Sequence, residues 1–201
     1  MSNPSLLAME EEELMLTPGS GTKVALKRLV DTVSQSGNPD QDFFYLGGPM
    51  TGIPQFNFPR FFEVAKTLRA KGYNIISPAE CDDPDTEKAA MESPDGAPGS
   101  GSANGEAWED FLSRDVILCA LPKCVGGIFL EGWHRSSGAN VESFVLDRLK
   151  KPVFEYQELD GGPVLVQVQR DERLHVLHSI DDDRKKIEEY ETYGQTALEI
   201  K

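Results

Sequence analysis

The chain has 201 residues, 39% of them hydrophobic, and a formal net charge of -14. That length suits one domain with extensions, and a core of roughly a hundred residues or more buries enough apolar surface to fold. An acidic chain without a cluster of Lys and Arg excludes sustained binding to a nucleic-acid polymer, and no stretch approaches the ~18 apolar residues of a membrane helix.

Residues 1–40 read as an acidic N-terminal extension. Glu10 to Glu13 stand where a signal peptide would need a basic and then an apolar run, so a cytoplasmic location is expected. A short helix over Lys23–Val33 has a partial apolar face from Val24, Leu26, Leu29, Val30 and Val33. The breaker run Ser36-Gly37-Asn38-Pro39-Asp40 ends it.

The core domain is expected over 41–157. Phe43-Phe44-Tyr45-Leu46 reads as a buried strand running into Gly47-Gly48-Pro49-Met50-Thr51-Gly52. Asn57 caps a helix that opens with Phe58-Pro59, faces inward through Phe61, Phe62, Ala65 and Leu68, and closes at Lys71-Gly72. A second strand over Tyr73–Ser77 stops at Pro78. Residues 82–105, acidic and rich in Gly, Ser, Pro and Ala, are expected to form a disordered insertion or else a lid.

Helical spacing resumes over Glu106–Ala120 through Trp108, Phe111, Leu112, Val116 and Cys119. Val125–Leu130 is a third strand. A helix over Ala139–Leu149 is expected to face inward with Val141, Phe144, Val145 and Leu149. Val153–Tyr156 is a fourth strand. Strands alternating with helices at this spacing predict a parallel α/β sheet with right-handed crossovers. Residues 158–201 are expected as a C-terminal extension: a hairpin pairing Val164–Val168 with Leu174–Leu177, then a charged helix over about Asp181–Tyr190.

The three cysteines, Cys81, Cys119 and Cys124, form no disulfide framework and no C-x-x-C pair. With only three His in the chain, no zinc site is read, and Cys119 is expected to be a buried small apolar residue. Ligands of open parallel sheets bind beyond the carboxyl ends of the strands, and two segments stand there. Gly47, Gly48 and Gly52 allow close backbone approach to a ligand, or simply a tight connection. The second, Gly132 to Glu142, opens a helix after the third strand. Its Ser136, Ser137 and Gly138 offer hydroxyls and free N–H groups to an anion, and either serine serves equally as a plain cap. Glu142 is expected near the first turn, where the helix dipole favours the ionised carboxylate.

Taken together, Tyr45-Leu46-Gly47-Gly48-Pro49-Met50-Thr51-Gly52, Asn57-Phe58-Pro59, Gly72-Tyr73 and Ser77-Pro78-Ala79-Glu80 resemble the nucleoside 2-deoxyribosyltransferase-like superfamily, in its phage- and prophage-associated branch. Trp108-Glu109, Arg114-Asp115, Gly132-Trp133 and Ser137-Gly138-Ala139 with Glu142 extend the resemblance over roughly Phe43 to Phe154. It implies a flavodoxin-like fold, no cofactor, a homo-oligomer, and an enzyme that cleaves an N-glycosidic bond with Glu142 as nucleophile on the anomeric carbon. The spacing Ser136-x-Gly138-x-x-x-Glu142 is similar to relatives that act on deoxynucleoside 5′-monophosphates, with Ser136 and Gly138 on the phosphate and Ser137 a further candidate substrate contact. Tyr45, Gly47, Gly48, Pro49, Met50 and Gly52 would surround base and sugar, and Trp133 is a further candidate substrate contact. Val125 stands where many members have the aspartate that serves the leaving base; Asp115, Glu131 and His134 are the candidates to replace it. The rival readings are a non-catalytic nucleotide-binding protein and an NAD-cleaving glycohydrolase.

Overall fold

The computed structural model describes residues 33–103, 105–160 and 162–168. The expected helices over 23–33 and 181–190 and the strand over 174–177 therefore lie outside the described residues, except for Val33 itself.

Five strands form one sheet in the order β2-β1-β3-β4-β5. They are β1 (Phe43–Gly47), β2 (Ile75–Ile76), β3 (Cys124–Phe129), β4 (Val153–Leu159) and β5 (Gly162–Gln167). The first four run parallel, and β5 returns antiparallel on β4. Among the described residues, the α-helices that accompany them are α1 (Phe58–Ala70), α2 (Pro84–Glu92), α3 (Trp108–Ala120) and α4 (Ser137–Arg148). This is an α/β fold with a Rossmann- or flavodoxin-like arrangement, and the strand order reverses direction at β1 and β3, where such sheets open a crevice.

Local chemistry accounts for the elements. Aromatic residues favour the pleated surface of β1, and Phe43, Tyr45 and Leu46 are wholly buried there. Gly127 in β3 is required by packing: a Cβ there would stand 2.4 Å from the Leu146 side chain, so its absence lets α4 lie close on the sheet. Phe58, Phe61, Val64, Ala65 and Leu68 share the buried stripe of α1. Cys119 is fully buried in the core, as expected of a small apolar residue.

Several expectations change. Asn57 does not cap α1 with its side chain; it adopts a left-handed conformation and its Nδ2 donates to the carbonyl of Pro49 at 2.9 Å. The second strand shrinks to two residues. β4 continues to Leu159 and β5 pairs with it antiparallel, so the expected domain boundary at 157/158 falls inside a strand; the expected pairing of Val164–Val168 with Leu174–Leu177 lies outside the described residues.

Residues 82–103, expected to be disordered or a lid, carry α2 and an ordered return. The Asp83 side chain accepts from the N–H groups of Asp85 and Thr86, and Pro84 opens the helix. Only small residues, Thr86 and Ala90, are buried on it, which is why apolar content gave no sign of order. Backbone bonds from Gly52 N–H to Gly96 O (2.9 Å) and from Gln55 N–H to Ser93 O (2.8 Å) dock this arm on the glycine-rich loop.

The largest revision concerns α4. Val141, Phe144 and Leu149, expected to face inward, are 40%, 43% and 47% exposed. The buried face is Ala139, Glu142, Ser143 and Leu146. The helix turns a carboxyl inward and apolar side chains outward.

Candidate active site

Beyond the carboxyl ends of β1 and β3 the chain encloses a cleft of about 890 Å³. Gly48, Pro49 and Met50 form one wall, the start of α4 a second, α3 a third, and the return of the arm closes over them. Glu142 and Asp115 both face this cleft.

Glu142 is the sixth residue of α4, in its second turn, and is 6% exposed. Burial and the nearby Asp115 push its carboxyl up to about 8, against smaller opposing effects from Tyr45 and Arg114. The expectation that the helix dipole keeps it ionised is thereby corrected. Desolvation exceeds the dipole, whose influence is confined to the first turn, so the carboxyl holds a proton more readily than an ordinary glutamate. Oε2 lies where it would stand 3.0 Å from a Cβ on Gly47, and Oε1 lies 3.8 Å from the corresponding position on Gly138. Glycine at 47 therefore keeps the space that the carboxyl occupies.

Asp115 lies on α3 and is buried beside Arg114, whose Nε donates to its Oδ1 at 2.9 Å. Burial raises its carboxyl and Arg114 opposes that rise. Tyr45 comes up from β1 beneath both acids. Its hydroxyl is close enough to favour the charged form of each, yet it lies outside hydrogen-bond geometry and, like Oε2 of Glu142, has no partner among the described residues. Burial also raises the Tyr45 phenol well above its ordinary value, so it stays a donor.

Unpartnered polar atoms buried at the floor of a cleft mark groups arranged for something other than stability. Two carboxyls that share a site cannot ionise together easily, so between them they retain one proton over a wide pH range.

Ser136 is the N-cap of α4, its Oγ accepting from Ala139 N–H at 3.3 Å. It faces the cleft together with Ser137, Gly138 and the exposed Arg135. Capping uses one lone pair and leaves the hydroxyl proton free to donate. The cap and the ligand roles open for these serines are thus compatible.

The structure brings Glu142, Asp115, Gly48, Pro49, Met50, Ser136, Ser137 and Gly138 to one surface. It leaves four expected residues off that surface. Tyr45 and Gly47 lie beneath it. Gly52, at φ 80°, is turned to the arm. Trp133 packs on Phe129 and donates its indole N–H to Glu155 at 3.1 Å. Among the candidates for the leaving base, Asp115 is buried at the floor and Glu131 is exposed at the edge, while Val125 and His134 are outside the cleft.

Sequence reasoning missed Asp82, which reaches Arg114 from the arm, and the aromatic wall of Phe56, Phe58 and Phe111. The run Asp83-Pro84 was a legible helix start. Among the described residues, no group of three or more His, Cys, Asp or Glu is placed to hold a metal ion. No helix among them is long and apolar enough to cross a membrane.

A family model described as a domain of unknown function, DUF4406, matches residues 43–95. The match runs from β1 through α2 and stops short of both Asp115 and Glu142. No curated protein and no solved structure matches the chain.

Proposed function

We propose that the protein is an N-glycosidase that acts on a (deoxy)nucleoside 5′-monophosphate, by hydrolysis or by transfer of the glycosyl group. The observation that carries this reading is the pair of buried carboxyls, Glu142 and Asp115, at the floor of one cleft beside the start of α4. The resemblance in the ordered motifs from Tyr45 to Glu142 supplies the reaction class.

The 5′-phosphate belongs at the start of α4, where unpaired N–H groups, the Ser136 and Ser137 hydroxyls and Arg135 favour an anion. The anomeric carbon then comes to Glu142. One carboxylate oxygen of Glu142 attacks it, the C–N bond breaks, and its electron pair leaves with the base. Asp115 gives the base its proton. Water then attacks the glycosyl ester and yields a proton to Asp115, which restores both groups. A second base in place of water gives transfer.

The productive form has one proton on the pair, carried by Asp115, with Glu142 ionised. The Tyr45 phenol beneath the pair favours that charge. The outer wall of Phe56, Phe58 and Phe111 offers aromatic surface to the base. An assembly of several copies, which the resemblance implies, finds support in the outward Val141, Phe144 and Leu149.

The test is incubation with nucleosides, nucleoside monophosphates and NAD, with free base followed by chromatography. Release from monophosphates supports the reading. Release from NAD alone would replace it with an NAD glycohydrolase, and tight binding without release with a nucleotide-binding protein.

A further inference from the structure

The reaction proposed above needs one carboxyl of the pair to keep a proton while the other loses it, and Arg114 governs that division. Its Nε is on Asp115, its Nη1 on Oδ1 of Asp82, and its Nη2 on the carbonyl of Pro78 at 3.4 Å. Asp82 begins the arm, and its side chain is as enclosed as that of Asp115, at 7% and 9% exposure. A guanidinium carries a single positive charge. Divided between two acids and the Pro78 carbonyl, it leaves Asp115 a single bond.

We propose that Asp82 is a positioning residue: by holding Nη1 of Arg114 it draws the single positive charge away from Asp115 and leaves Asp115 able to carry the proton for the leaving group. This rests on the reading of the cleft as a glycosidase site. The groups facing Asp115 are few. Arg114 and Cys119 share its helix, Tyr45 rises from β1, Glu142 projects from α4, and Cys81 and Asp82 come from the start of the arm. Glu106 stands behind Asp82 and adds to the negative charge there. Arg114 is the cation of the group, so loss of Asp82 has one main consequence: its positive charge falls more fully on Asp115. Burial raises both acids, and Arg114 is the first opposing influence on each, which is the behaviour of two carboxyls drawing on one cation.

The test is a carboxyl-carbon NMR titration of the full chain labelled at aspartate, the Asp115 signal being assigned by its loss in Asp115→Asn. In Asp82→Asn and in Asp82→Ser the Asp115 midpoint is expected to move to lower pH, while Asp82→Glu keeps it near that of the parent. A folded Asn or Ser variant with an unmoved midpoint overturns the proposal. So does failure of both to fold, since Asp82 would then serve the fold itself.

This titration needs no substrate, so it decides the role of Asp82 even if no base is ever released, a result that would sink the glycosidase reading alone. With an active substrate, the acid limb of kcat/KM moves down in Asp82→Asn and the plateau falls on the order of tenfold, the factor that one pH unit represents. The alkaline limb, set by Glu142, stays. A lower plateau with an unmoved acid limb would mark a merely structural residue.

Discussion

Replacing Glu142 with Gln is expected to abolish base release and, in the same protein, to raise the melting temperature at alkaline pH. In the folded chain the Glu142 carboxyl titrates at about 8, against 4.5 for an unperturbed glutamate. Between those values the native state binds a proton that the unfolded chain has released, so stability falls as pH rises. The contribution of the protonated carboxyl is fully present below the unfolded value and lost on the way up to the folded one.

Each pH unit is worth about 1.36 kcal/mol, which makes the loss on the order of 3 kcal/mol at pH 7 and 5 kcal/mol above pH 8. Gln keeps the shape, offers an N–H where the acid held its proton, and never ionises. For a chain of this size ~2–4 °C accompanies each kcal/mol, so the variant should melt on the order of 10 °C above the parent at pH 8 and together with it near pH 4.5. Melting curves at half-unit intervals from pH 4.5 to 8.5, with base release measured on the same samples, decide it. A constant gap across the range would show that the Glu142 carboxyl titrates like an ordinary glutamate, and full activity in the folded variant would end its role as nucleophile.

Ser136→Ala should weaken turnover of 5′-monophosphates more than of free nucleosides, by ~1.5–3 kcal/mol for a lost donor to a charged group, and should also cost ~1 kcal/mol of stability as a lost cap. Equal losses for both substrate classes would place the phosphate elsewhere. Gly47→Ala should disable the protein, because the added carbon would stand 2.4 Å from the Phe129 ring and 3.0 Å from Glu142 Oε2; an overpacking cost of ~1–3 kcal/mol and a large fall in kcat are expected, and wild-type kinetics would contradict the geometry. Val125→Asp, on β3 away from the cleft, should bring no gain in turnover and should lower the melting temperature; a faster folded variant would show that the leaving base is served from that strand and not from Asp115.

The strands and their order of appearance were legible because aromatic and β-branched runs bounded by Gly and Pro have few other uses. The inner face of α4 was not, and the reason is physical. A helix normally buries its apolar stripe, so Val141, Phe144 and Leu149 pointed the wrong way once Glu142 and Ser143 took the inward positions. A site residue on a helix displaces the pattern by which the helix is read. The arm was illegible for a related reason. Its order comes from an Asp83 cap, backbone bonds and buried Thr86 and Ala90, none of which raises hydrophobicity. Glu142 and Asp115 were found through motif order; that they share a floor, and that burial governs their protonation, required the three-dimensional arrangement.

The docking of the arm has a consequence for amide hydrogen exchange. The N–H groups of Gly52 and Gln55 end on the carbonyls of Gly96 and Ser93, so any excursion of the arm away from the loop must free both at once. Two amides three residues apart would then exchange with deuterium at rates reporting a single opening equilibrium. A molecule bound between loop and arm would slow both by one common factor, equal to its own stabilisation of the closed form. These two amides thus form a built-in gauge of occupancy, readable before any product is known.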